Sequence, residues 1–385
     1  MAVYTWGFGK NGQLGLGNKE TVHTPQPANK TSAGQNLKSV VQVCCGGLFT
    51  AIVTRDGCLY TAGCGKFGRL GLGDSEDDVP LFSLVNSFGG VQQVSCGSWH
   101  AAAVTVEGQV YIWGHKKACG NSITSSSEGS AAMGIPSHVS YFTEVKVSGV
   151  ACGHNYTYVW TSEGRVYSWG RGQHGVLGHG SDRDILSPTK LEQLSEFIVV
   201  AVDAGYSHCG TVTQCGLLFV SGKGSDGALG QGQSQLTDVY NPTKCDTAGC
   251  HISSVSCSKG EHHGHTLALT KQGEMLVWGD GYKGKLGLGD QKSRYTPTPV
   301  PKEYFNNEAV VSISAGGIHS SAATSSGSVY TWGCGSDGRL GHRDGQGHRY
   351  LFRSDVPRKV EELPQNELNT ASVSASYYHT AALFS

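Results

Sequence analysis

One short step recurs seven times in this chain and sets the geometry available to it. A glycine, preceded in most copies by tryptophan, stands at Gly7, Gly63, Gly114, Gly170, Gly222, Gly279 and Gly333, at spacings of 51 to 57 residues. Counting on from Gly333 through the end of the chain and back to Gly7 gives 59 residues, nearly one more period. A repeat of this length is one supersecondary unit that buries its apolar face only against its neighbours. In a linear stack the two ends would have no reason to complete a unit between them. Seven units that close on themselves predict an all-β, seven-bladed β-propeller, a single domain over residues 1–385.

Each unit reads alike. An apolar strand opens it, as in Val91-Gln92-Gln93-Val94-Ser95, and a loop ending in histidine follows, as in Cys96-Gly97-Ser98-Trp99-His100. A second strand of small residues leads to a hairpin at Thr105-Val106-Glu107-Gly108, with glycine where a positive φ is needed. The third strand, Gln109-Val110-Tyr111-Ile112-Trp113, alternates its faces with period two. Most units then end on a glycine-rich turn and a Leu-Gly step, so a unit is three inner strands and an outer segment.

The Thr-x-x-Gly hairpin occurs at Thr54/Gly57, Thr105/Gly108, Thr161/Gly164, Thr213/Gly216, Thr270/Gly273 and Thr324/Gly327. The seventh copy is missing where the two termini would meet. One blade is therefore expected to draw strands from both ends, which removes the free sheet edges of an open array. The expected blades are roughly 372–385 with 1–30, then 38–86, 90–140, 144–194, 197–247, 251–304 and 309–368.

Composition agrees with this and excludes several classes. The 56 glycines are about twice the usual share of roughly 7%, while 11 prolines are too few for a collagen-like or proline-rich disordered chain. The formal net charge of −1 gives no global field toward a phosphate backbone, so nucleic acid is not an expected partner. No apolar run approaches the ~20 residues of a membrane span. The opening Met1-Ala2-Val3-Tyr4 lacks a secretory pattern. The thirteen cysteines, mostly at repeat positions that hold alanine elsewhere, read as reduced thiols, and the expected location is cytoplasmic or nuclear.

Several motifs imitate chemistry. Gly-x-Gly-x-x-Gly occurs six times, at Gly7, Gly63, Gly170, Gly222, Gly279 and Gly333. A dinucleotide site needs a following helix, whereas here a Leu-Gly step and a polar loop follow, so the motif reads as a turn. His100, His208, His265, His319 and His379 occupy one repeat position, which holds Phe49 and Tyr156 in the other blades. A position that accepts phenylalanine reads as packing and loop bonding, not acid–base catalysis. Cys245, Cys250, His251, Cys257, His262, His263 and His265 are the nearest approach to a zinc set. Two of them, Cys257 and His265, fill ordinary repeat positions, so no metal, cofactor or catalytic residue is expected.

The repeated segment, as in Trp169-Gly170-Arg171-Gly172-Gln173-His174-Gly175-Val176-Leu177-Gly178, resembles the repeat of the regulator-of-chromosome-condensation family over nearly the whole chain. That resemblance implies a seven-bladed propeller, in agreement with the count. Its founding member is a nucleotide-exchange factor for a small GTPase, with acidic residues at the positions of Lys10, Ser98 and Asn155. None of those carboxylates is present here, and Lys116-Lys117-Ala118 stands where that factor carries its nucleotide-displacing wedge. Ultraviolet-B photoreceptors of the same fold repeat a tryptophan-bearing loop, matched here by Trp99 alone. HECT-type ubiquitin ligases carry such propellers as binding modules.

The expectation is a monomeric, non-catalytic protein-interaction propeller, an adaptor, scaffold or substrate-recognition module, with a ubiquitin-ligase association among its readings. Guanine-nucleotide exchange on a small GTPase is the alternative. Candidate partner-binding residues are Trp99, Tyr156, Tyr206, Tyr377 and Tyr378, as aromatics on one rim, with Lys116 and Lys117. The serine-rich 122–130 stretch and the insert from His342 to Leu368 are the variable parts.

Overall fold

The computed structural model describes residues 2–120, 132–346, 352–364 and 371–384. The serine-rich stretch and parts of the seventh-blade insert lie outside them. Seven four-stranded antiparallel sheets make the blades of a propeller. Blade 1 is built from Ala371–Ala375, His379–Phe384, Ala2–Gly7 and Val22–Pro27, so the two chain ends share it. Six pairs in unbroken register, from Ala2 opposite Phe384 to Gly7 opposite His379, close the ring. Blades 2 to 7 follow in chain order, beginning at Val40, Val91, Val147, Val199, Ile252 and Val310.

The core is seven wedges between blades. Val3, Val43, Ile52 and Leu383 join blades 1 and 2, and comparable clusters fill the next five junctions. Trp6, Ala323, Val360 and Phe384 seal blade 7 to blade 1. Trp6, Trp113, Trp169, Trp278 and Trp332 are fully buried. Each donates its indole N–H to a carbonyl of the preceding blade, as from Trp113 to Arg69, from Trp169 to Cys119 and from Trp332 to Lys285. A buried indole thus keeps its polar handle satisfied while its rings pack.

The hairpins form as the sequence reads: in all six the glycine N–H bonds the threonine carbonyl, as in Gly57 to Thr54. The repeat glycine lies where the third and fourth strands slip register, and Gly114 adopts φ +113° with an ideal Cβ only 2.5 Å from the His100 Cα. Only glycine fits there.

The inner strands would present unpaired N–H groups to the axis, a cost if unmet. Side chains of the preceding blade meet them. Cys44, Ser95, Asp203, Ser256, Ser314 and Ser374 accept from the N–H of Cys96, Cys152, Cys257, Ala315, Ala375 and Cys45 respectively. At the remaining junction stands Ala151, which has no acceptor to offer.

Candidate functional site

The loops that precede the second strand of each blade form an annulus round one mouth of the axis. Successive loops are tied by backbone bonds: Gly47 donates to Gly97, Ser98 to Gly153, His154 to Gly205, Tyr206 to Ser258, Lys259 to Gly316 and Gly317 to Ser376. Short glycine-bearing loops can run this close, and the ring fixes their side chains rigidly on one face. On that face a depression of 300 Å³ is lined by Leu48, Trp99, Tyr206, Tyr377 and Tyr378, with Arg69, His154 and Lys259 among its polar walls.

The aromatic rings form two adjoining groups. Phe67 meets Trp99 edge-on at 5.5 Å, Trp99 meets His154 at 6.2 Å, and His154 packs on Tyr206 at 3.9 Å. Tyr377 packs on Tyr378 at 4.4 Å, and Tyr378 on Phe8 at 5.5 Å. All four of the sequence-derived rim aromatics other than Tyr156 are half-buried, presenting part of each ring. A second depression, of 430 Å³, shares Trp99 and adds Phe67, His115, Lys117, Arg171 and Asp184.

Tyr156 has to be corrected. It occupies the repeat position of the histidines, is 1% exposed, and donates its hydroxyl to the carbonyls of Gly205 and His208. One blade has replaced an imidazole with a phenol that performs the same joining task. The rim position next to it belongs to His154 and Asn155. Lys116 and Lys117 lie on the short helix Lys116–Cys119 beside the second depression, Lys117 exposed and Lys116 half-buried.

Sequence reasoning missed Arg69, Phe67, His115, Arg171 and the 261–262 pair, which the fold carries to the same face. One signal was available. Phe67 holds φ +59° at a turn position where other blades carry His174, Lys283 and Asp337. A bulky aromatic in the left-handed region is uncommon and concentrates at functional sites.

The repeated histidines are joints between blades. Nε2 of His100, His208, His265, His319 and His379 lies 2.8–2.9 Å from a hydroxyl of the next blade: Thr157, Thr266, Ser320, Thr380 and Thr50. Four of these hydroxyls donate onward to a turn carbonyl, as Thr266 does to Ala228 and Ser320 to Lys285. A hydroxyl that gives its one proton away must accept from the ring, which assigns the proton to Nε2. Burial holds these rings neutral: His100 and His379 fall to about 3 and His208 to about 4.

The zinc-like set is dispersed. Cys245 packs beneath Gly230, His251 bonds the Cys215 carbonyl, and His263 stacks on Tyr282 while meeting Asp280. Among the described residues no three His, Cys, Asp or Glu side chains group to hold a metal ion. All thirteen cysteines are free thiols. In the long loop before His265, Lys259 turns inward to Asp203 at 3.0 Å and to the Ala204 carbonyl at 2.7 Å.

Residues 2–382 match the RCC1-like domain model. The chain belongs to the RCC1-like domain family. Its relatives in that family differ widely in setting. It is 32% identical over 344 residues to the ultraviolet-B receptor UVR8 of Arabidopsis thaliana, covering 88% of this chain and 74% of the receptor. It is 30% identical to the E3 ubiquitin-protein ligase HERC2 of Mus musculus, covering 88% of this chain and only 7% of the ligase. The crystal structure of Prp20p of Saccharomyces cerevisiae, described with its binding to Gsp1p and histones, superposes with a TM-score of 0.80 at 22% identity. That superposition covers 99% of this chain and 90% of Prp20p, and it shows the shared fold. This RCC1-like domain is an interaction and regulatory module in its architecture, and no helix among its described residues is long and apolar enough to cross a membrane.

Proposed function

We propose that this RCC1-like propeller is a non-catalytic recognition module that captures a protein partner on its loop face. The carrying observation is the convergence of half-buried Trp99, Tyr206, Tyr377 and Tyr378, from three different loops, on one 300 Å³ depression. Large aromatics gathered at the centre of a rigid face are the usual anchors of an interface. The repeated histidines are buried in joints between blades, away from that face. Association with ubiquitination machinery draws support from the likeness to HERC2.

Affinity capture with mass spectrometry, comparing the wild type with Trp99→Ala and Tyr377→Ala, tests the reading. Both variants should retain the wild-type melting temperature and lose the partner, with each anchor costing about 2 kcal/mol of binding or more. Capture unchanged by both variants rejects this face. Guanine-nucleotide exchange is the competing reading. Lys10, Ser98 and Asn155 in place of carboxylates count against it. Acceleration of nucleotide release from a panel of small GTPases would replace the proposal with that activity.

A further inference from the structure

Arg69 is a buried cation with no carboxylate in direct contact among the described residues, Asp78 and Glu76 acting on it only at a distance. It is 1% exposed, with Nε donating to the Lys66 carbonyl at 2.9 Å and Nη1 to the Ser98 carbonyl at 3.0 Å. Nη2 has no hydrogen-bond partner among the described residues. The same repeat position holds Lys285 and Arg339 in blades 6 and 7, and each of these meets a carboxylate of its own blade. Lys285 bonds Asp280, and Arg339 Nη2 reaches Asp337 at 3.2 Å. Where blade 7 has Asp337, blade 2 has Phe67. A buried guanidinium donor left unpaired is costly, and a carboxylate is the group that meets its geometry best.

The surroundings carry the same sign. Lys117 and Arg171 flank Trp99 in the adjoining depression, and neither makes an ion pair with a described residue. Lys259 is neutralised by Asp203. The negative groups near the face are Asp184, engaged by the Gly172 N–H at 3.0 Å, Glu76, engaged by the Phe67 N–H at 3.0 Å, Asp78, paired with Lys19 at 3.2 Å, and Glu261. Burial and then the positive charges of Lys117 and Arg69 push the His115 imidazole down. Burial, with Arg171 next, holds His154 near about 4. Both rings are therefore neutral at pH 7, and the cationic stripe is Arg69, Lys117 and Arg171.

We propose that the segment captured on this face is an acidic peptide of a protein partner, whose carboxylate takes at Arg69 the place that Asp337 takes at Arg339. The inference rests on the loop-face reading given above and names the chemistry of its occupant. An apolar or aromatic side chain of the segment lies against Tyr206 and Tyr377, and further carboxylates face Lys117 and Arg171. Trp99 lies over the Arg69 guanidinium, with its ring centroid 4.6 Å from Cζ, so the incoming carboxylate moves the indole aside. Trp99 is the one half-buried tryptophan, all others being buried, and its emission therefore reports the event.

Panning the full chain against displayed random dodecapeptides, followed by fluorescence titration of the selected peptides, tests this. The wild type should enrich Asp- and Glu-rich sequences whose binding changes Trp99 emission and weakens with added salt. Replacing their acidic residues with Asn and Gln should cost at least about tenfold in affinity. The surface variant Lys117→Gln/Arg171→Gln should cost a similar factor while melting with the wild type, and Arg69→Met should also weaken binding if it folds. Selected peptides that depend on Trp99 but show no acidic bias overturn the inference and leave the loop-face reading standing. Peptides that bind Trp99→Ala as well as wild type overturn that reading instead. Preference for a phosphoserine peptide or a single-stranded oligonucleotide over the Asp/Glu peptide also overturns the acidic-peptide assignment, as does affinity indifferent to Lys117→Gln/Arg171→Gln.

Discussion

At the scale of the residue, an imidazole that donates from Nε2 to the next blade keeps that bond when Nδ1 takes a proton, but then carries a charge that its burial penalises. Burial lowers the folded-state values of His100 and His379 to about 3 and of His208 to about 4, against about 6.5 in an unfolded chain. Between those values the unfolded state binds more protons than the native one, so stability rises with pH across that window. The denaturant midpoint should hold steady from pH 8 to about 6.5 and fall progressively as the pH drops toward 4. A His100→Gln variant should show a shallower fall, read from urea curves at several pH values; an identical slope would remove His100 from the account. The joining role of these histidines was legible because their position also accepted phenylalanine. Tyr156 was misread for the same reason, since a tyrosine in a loop-like context looks exposed until its hydroxyl is seen to reach a neighbouring blade. Arg69 was not legible, because its meaning lies in the absence of a partner that only its sister Arg339 reveals.

At the scale of the element, the glycine turns can be separated into strain and space. Gly73 and Gly114 have nearly the same backbone, φ +112° and +113°. A Cβ on Gly73 would meet nothing within 4 Å, while on Gly114 it would meet the His100 Cα at 2.5 Å and the Trp99 carbonyl at 2.6 Å. Gly73→Ala should therefore cost the conformational strain alone, about 1–3 kcal/mol. Gly114→Ala should cost clearly more, because the clash falls on backbone beside Trp99. Thermal and chemical denaturation of the two variants gives the comparison, and equal losses would show that strain dominates at both. Hairpins and repeat turns were readable from sequence because they depend on single residues at fixed offsets. The annulus of loop-to-loop bonds was not, since each bond joins residues about fifty positions apart through backbone atoms common to every residue.

At the scale of the whole molecule, seven separate wedges replace one central core, and stability depends on the last wedge being present. Deleting residues 1–7 removes the strand that pairs Ala2–Gly7 with His379–Phe384 and strips Trp6 from the blade 7 junction. The outer strand Val22–Pro27 would then lose its only strand neighbour within its sheet. Such a variant should lose the single cooperative melting transition and expose sheet edges prone to association. Calorimetry and light scattering check this, and a sharp melt near the wild-type temperature would contradict it. The period and the missing hairpin made the ring legible in advance. The face that matters for binding was only half legible, because periodicity locates loops but not the charges that neighbouring loops bring together.

The pairing of the first strand with the final one also imposes an order of events during synthesis. Residues 2–7 are made long before 379–384, the strand they pair with. Until then the nascent propeller is an open crescent with a bare strand at either end, vulnerable to wrong partners while the intervening blades are made.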